Sequence, residues 1–137
     1  MFTKNATDIR KNWSSTINEA TYEKPVFIKR NRNQLCLINL DLFKDSLLSF
    51  TFTATKTFTD NNSVTLTSDE FGISETGRDV EEAKLLLAEA ILKYASQFYS
   101  DFSYWSGVPN RKQQIPYVLR AIIEETPEKI RELIIIE

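Results

Sequence analysis

The sequence predicts an α+β chain in two parts: a β-α-β-β-α unit over residues 1–48, then a small antiparallel sheet packed by one long and two shorter helices over residues 49–137. Three observations carry this. Apolar residues recur every three to four positions early in the chain, and again for more than four turns from Val80. Between those stretches the pattern switches to period two, with Val, Ile, Phe and Thr concentrated there. At 137 residues, 42% hydrophobic and 12% aromatic, the chain suits one compact domain or two small ones sharing a core.

The first unit opens on Phe2-Thr3-Lys4, a short edge strand. Asn5 follows as a helix N-cap with Asp8 three residues on, the spacing of a capping box. Ile9, Trp13 and Ile17 then recur every four residues, with Ala6 and Ala20 beside them, while Arg10, Lys11, Ser14 and Asn18 fall on the other faces. Pro25 ends the helix. Val26-Phe27-Ile28 and Leu35-Cys36-Leu37-Ile38 read as the arms of a hairpin turned by residues 29–33. Asn39 caps a last short helix with Leu40, Phe43 and Leu47 on one side. A unit of about fifty residues buries little surface alone, so dimerisation or support from the following segment is expected.

In the second part, Phe50, Phe52 and Ala54 alternate with Thr51, Thr53 and Thr55, as in a half-buried strand. Asp60-Asn61-Asn62 is a turn, Val64-Thr65-Leu66 a second strand and Phe71-Gly72-Ile73 a third. Asp79, with Glu82 three residues on, caps the longest helix, residues 80–102, whose apolar face is Val80, Ala83, Leu87, Ala90 or Ile91, Tyr94 and Phe98. A loop spans Tyr104 to Lys112. Pro116 starts a helix carrying Val118, Leu119, Ile122 and Ile123, and Thr126-Pro127 starts another with Ile130, Leu133 and Ile134. The closing Ile134-Ile135-Ile136 needs a surface to cover.

Composition excludes several classes. The single cysteine, Cys36, cannot form an internal disulfide, and the first ten residues lack the apolar run of a signal peptide, so a cytoplasmic protein is expected. No stretch approaches the roughly 20 apolar residues that cross a bilayer, so no membrane partner is expected. The absence of histidine removes the usual general base and imidazole metal ligand. Of the acidic pairs, Glu81-Glu82, Asp69-Glu70 and Glu124-Glu125 are each adjacent, and neighbours on a helix diverge by about 100°, so they do not converge on a substrate. Cys36, mid-strand among Leu and Ile, reads as a buried small hydrophobe. No catalytic residue, cofactor or metal is expected, and the chain does not read as an enzyme.

Charge is unevenly placed. Residues 1–47 hold eight Lys/Arg against five Asp/Glu, or +3; residues 48–137 hold nine against fourteen, or −5, recovering the total of −2. A basic head on an acidic body suits a protein that offers one end to a polyanion and the other to a different, often basic, partner. The hairpin concentrates Lys24, Lys29, Arg30 and Arg32 within nine residues without an acid. Arg10 and Lys11 join them if helix and hairpin pack side by side; a solvated turn is the alternative.

The run Asn5-Ala6-Thr7-Asp8-Ile9-Arg10-Lys11-Asn12-Trp13 resembles the opening helix of the Phd/YefM antitoxin family, Ser-x-(Ser/Thr)-Glu-Ala-Arg-x-Asn-Leu. Pro25-Val26-Phe27-Ile28-Lys29-Arg30 is similar to that family's Pro-apolar-apolar-Ile-Thr-Arg strand, and Leu37-Ile38-Asn39-Leu40-Asp41-Leu42-Phe43 to its Leu-apolar-Ser-Leu-Glu-x-Tyr ending. The resemblance covers about a third of the chain. It implies a homodimer or higher assembly binding a palindromic operator, with Arg10 and Arg30 on the DNA. Lys11, Lys29 and Arg32 are added from charge and position as backbone contacts. The turn Asn31-Arg32-Asn33 lacks the family's usual glycine, although Asn tolerates the left-handed backbone a turn needs. The usual family tail is short and flexible, whereas residues 49–137 read as folded. There, Gly77-Arg78-Asp79-Val80-Glu81-Glu82-Ala83 resembles the HicB antitoxin pattern Gly-Asp-Thr-Leu-Glu-Glu-Ala, which implies a sheet-backed helix and a ribonuclease toxin as partner.

Of the aromatic residues around the end of the long helix, Tyr94, Phe98 and Phe102 share one face and read as core. Tyr99, Tyr104 and Trp105 fall outside that stripe and form a candidate toxin-binding patch rimmed by Arg111 and Lys112; a core cluster with solvated connector charges is the alternative. Together these readings predict an antitoxin that neutralises a cognate toxin by direct binding and represses its own operon. The competing reading is a non-catalytic interaction or scaffold module that does not bind DNA.

Overall fold

The structure, a computed structural model, describes residues 2–137 and divides the α+β chain into two compact units, the first ending at Ser46 and the second spanning Leu47–Glu137.

In the first unit β1 (Thr3–Asn5) runs parallel to β2 (Val26–Arg30), and β2 pairs antiparallel with β3 (Asn33–Leu37), giving the sheet order β1-β2-β3. Between β1 and β2 the chain forms two helices, α1 (Ala6–Lys11) and α2 (Trp13–Tyr22), in place of the expected single one. Asn12 makes the break: its side-chain amide donates to the Asp8 carbonyl at 3.1 Å, and its backbone sits at φ −121°, ψ 40°. An Asn side chain that competes for helix carbonyls weakens the continuous ladder. The break shifts the phase of the apolar face. Ile9, Thr16 and Ala20 are buried, while Trp13, expected beside Ile9, is 54% exposed. Asn5 caps α1 by accepting from the Thr7 N–H at 3.0 Å.

The hairpin turn is tighter than the sequence suggests. Arg30 pairs with Asn33, leaving Asn31 and Arg32 as the tip, with Asn31 supplying the positive φ of 54°. The helix α3 (Leu40–Ser46) follows, started by Asn39 Oδ1, which accepts from the Asp41 N–H at 2.8 Å. Among the described residues Ile9, Ala20 and Val26 form the buried apolar centre of this unit, with Ile28 and Leu37 packed against it. Cys36 corrects a second expectation: it is exposed, because β3 is an edge strand and Cys36 pairs with Phe27 on its neighbour, which is itself 45% exposed.

The second unit holds β4 (Phe52–Phe58), β5 (Val64–Ser68), β6 (Ser74–Gly77), α4 (Val80–Ser100), α5 (Phe102–Ser106), a single 3₁₀ turn (Lys112–Gln114), α6 (Ile115–Glu124), α7 (Pro127–Leu133) and β7 (Ile134–Ile136). The sheet order is β6-β5-β4-β7, antiparallel except that β7 runs parallel to β4, so the sheet is mixed. The period-two pattern does its expected work. Phe52, Ala54, Val64 and Leu66 face the helices and are buried with Leu87, Ile91, Phe98, Val118 and Ile130. Burying each large apolar side chain contributes about 1.5–3 kcal/mol. On the opposite face the hydroxyls satisfy one another: Thr65 and Thr76, and Thr67 and Ser74, lie 2.7 Å apart across adjacent strands.

Three elements depart from expectation. The third strand begins at Ser74, because residues 69–71 turn, Gly72 adopts φ +70° and Phe71 drops into the core. Residues 102–106, read mainly as loop, are α5. The terminal isoleucines form β7, which finds its surface on β4 through Phe52↔Ile134 and Ala54↔Ile136. Gly77 lets β6 meet the start of α4: a Cβ there would lie 2.5 Å from the Ala83 backbone nitrogen. Asp79 caps α4 through the Glu82 N–H at 2.8 Å, and Glu82 in turn accepts from the Arg78 N–H at 3.1 Å.

Candidate functional site

A concavity of about 750 Å³ lies in the first unit and is lined by Asn5, Ala6, Thr7 and Arg10 from one side and by Lys29, Arg30 and Asn31 from the other. The parallel pairing of Asn5 with Lys29 makes it, by setting the start of α1 beside the end of β2. Three of the five candidate DNA-binding residues, Arg10, Lys29 and Arg30, therefore share one surface. Lys11 and Arg32 are exposed but do not line it. Among the described residues none of the five is paired with a carboxylate. Lys24, part of the same basic run, goes elsewhere: its Nζ lies 3.9 Å from Glu19, which also accepts from Lys4 at 2.6 Å. The Lys4 hydrogen bond, reinforced by the charges of Lys4 and Lys24, holds the Glu19 carboxyl below its ordinary range. Asn5, Thr7 and Asn31 were not read as site residues, although the N-cap at Asn5 and the turn at Asn31 were legible signals.

The second unit carries the aromatic patch. Tyr99 and Tyr104 are 54% and 59% exposed, while Trp105 is half-buried. The rings form a packed series: Tyr99 meets Phe102 at 6.5 Å, Phe102 meets Phe98 at 5.6 Å, Phe98 stacks on Trp105 at 6.4 Å, and Trp105 meets Tyr104 at 5.1 Å edge-on. Trp105 belongs mainly to the core and fixes Tyr104 at the surface. Arg111 does not rim this patch as expected. Its Nη1 donates to the Tyr94 hydroxyl at 2.8 Å, and that hydroxyl donates to Gln114 Oε1 at 2.5 Å. Gln114 Nε2 closes the network by donating to the Glu70 carbonyl at 3.2 Å. The guanidinium thus pins the loop before α6.

The acidic pairs are structural in their contacts. Glu70 Oε1 accepts from the Thr53 N–H at 2.8 Å, and Asp69 accepts from the hydroxyls of Thr53 and Thr55 at 2.9 and 3.0 Å. Arg78, through its side-chain and backbone hydrogen bonds, lowers the pKa of Glu82. Among the described residues no group of three or more His, Cys, Asp or Glu is placed to hold a metal ion, and no helix is long and apolar enough to cross a membrane.

The family model PHD_like, described as the antitoxin of a RelE/RelB toxin–antitoxin system, matches residues 1–136, and so runs through both units. A crystal structure of an antitoxin part of a proposed toxin/antitoxin system from Syntrophomonas wolfei subsp. wolfei is similar throughout. It shows a TM-score of 0.94 and 32% identity, over 100% of this chain and 99% of that one. No curated protein matches.

Proposed function

The chain belongs to the PHD-like family, the antitoxins of RelE/RelB toxin–antitoxin systems, and from that premise we propose that it acts in the cytoplasm through two surfaces. The first unit dimerises, binds a palindromic operator and represses its own operon. The second binds the cognate toxin, a ribonuclease, and covers its working surface. Within the family the motifs at Asn5, Arg10, Arg30 and Asn39 support a Phd/YefM-like first unit, and α4 backed by a sheet supports the HicB-like hint in the second.

The observation that carries the DNA reading is the shared concavity of Arg10, Lys29 and Arg30, three cations without carboxylate partners among the described residues. Such a surface gains affinity by releasing counterions from phosphates, and an Arg that reaches a base edge adds sequence preference. Lys11 and Arg32 flank the concavity as phosphate contacts. The dimer reading rests on apolar surface: Trp13, Tyr22, Phe27, Leu35, Leu40 and Leu42 are all at least 45% exposed, in a unit whose buried apolar centre among the described residues is Ile9, Ala20 and Val26.

The test is a gel shift with the DNA upstream of the gene. Arg10→Glu with Arg30→Glu abolishes binding while the dimer mass by light scattering stays unchanged. Lys11→Ala or Arg32→Ala weakens binding to all sequences and lowers the salt slope by about 1. Undiminished binding by the double variant excludes this surface. Affinity independent of salt points instead to an interaction module without a DNA role.

A further inference from the structure

Resting on the reading that the second unit binds the toxin, we propose that the exposed surface at the α4–α5 junction receives cationic side chains of the toxin, Arg or Lys, on the rings of Tyr99 and Tyr104, with Asp101 as counter-ion. Asp101 stands at the junction of α4 and α5. It ends one helix and begins the other, yet its side chain makes no capping bond and stays exposed. Residues three apart at a helix start are neighbours, which puts Asp101 and Tyr104 on one side of α5.

Charge decides the occupant. Residues 94–110 contain one acid, Asp101, and no Lys or Arg; of the cations that flank them, Arg111 is turned inward to the Tyr94 hydroxyl, while Lys93 and Lys112 are exposed. A purely apolar partner surface would strip water from the Asp101 carboxylate without replacing it, which is unfavourable; a guanidinium or ammonium compensates it. The π-faces of tyrosines attract the same cation. The net −5 of the second part, from nine Lys/Arg against fourteen Asp/Glu, draws a basic partner to this unit. Each ring packs on one neighbour, Tyr104 edge-on to Trp105 at 5.1 Å and Tyr99 on Phe102 at 6.5 Å, and leaves its remaining surface open to a partner. Ser96, Ser100 and Ser103 are exposed around them, and Tyr with Ser is a composition suited to protein recognition.

The test titrates the purified product of the adjoining reading frame into the full-length chain by calorimetry at three salt concentrations. Tyr99→Phe with Tyr104→Phe keeps the ring faces and binds within about twofold of wild type, whereas Tyr99→Leu with Tyr104→Leu keeps apolar bulk and weakens binding about tenfold. Asp101→Asn weakens it about fivefold and flattens the salt dependence. Because each tyrosine also packs on a neighbouring ring, melting curves accompany the titrations, which are run at a temperature where every variant is folded. If the Leu pair and Asp101→Asn bind normally while Tyr99→Ala with Tyr104→Ala does not, the patch binds toxin by apolar contact and the cation proposal is overturned alone. If the Ala pair also binds normally, or the variants change self-association instead, this face is not the toxin surface. If the adjoining product does not bind at all, the toxin reading fails and this proposal with it.

Discussion

Arg120 is 3% exposed on α6, with Nε 3.2 Å from Glu124 Oε1 and Nη1 donating to the carbonyls of Leu47 at 2.8 Å and Phe50 at 3.3 Å. In the sequence, Arg120 and Glu124 are four residues apart on a helix, a spacing that usually marks a solvated pair. Nothing in the periodicity separates that reading from burial, because the carbonyls that require a cationic donor come from residues some 70 positions earlier. Removing Arg120 takes a buried cation from Glu124 and a donor from two carbonyls. Arg120→Ala is therefore expected to destabilise the second unit by about 3–5 kcal/mol; urea unfolding of the variant beside wild type checks this. Trp13 and Cys36 illustrate the same limit. Their neighbours in sequence are apolar, but a helix break exposes one and an edge strand the other.

Among elements, the long helix and the alternating strands were legible because each repeats one signal many times. Val80–Ser100 buries Ala83, Leu87, Ile91 and Phe98 as its spacing requires, with Asp79 as cap. The short elements were not. α5 has five residues and β7 three, too few for a period to emerge. β7 exists because β4 has a free edge beside the end of α7, a fact of topology. Its side chains alternate all the same: Ile134 is 5% exposed and Ile135 50%. Ile134→Ala is expected to cost about 2–5 kcal/mol, and Ile135→Ala about 1 kcal/mol or less, both measured by denaturant unfolding. Equal losses would show that β7 does not pack as a one-sided strand.

At the scale of the whole molecule the two units differ in how much core they own. Among the described residues the second buries fifteen apolar residues in one cluster, the first three. If a second copy completes the first unit, its stability follows protein concentration by mass action. Amide exchange from 1 to 100 µM should show protection of the first unit's sheet rising with concentration while α4 stays constant; concentration-independent protection throughout would argue against the dimer. The α+β class, the helix caps at Asn5, Asn39, Asp79 and Thr126, and the alternation of the main strands were determined by the sequence alone, since each depends on residues within a few positions of one another. So was the presence of a basic run near the hairpin. Which of those cations share a surface was decided only by the tertiary structure, through the parallel pairing of β1 with β2, which sets Arg10 beside Lys29 and Arg30 and leaves Lys24 to Glu19. The burial of Arg120, the inward turn of Arg111 and the strand at residues 134–136 were decided there too. Each depends on groups distant in sequence whose approach no local pattern encodes.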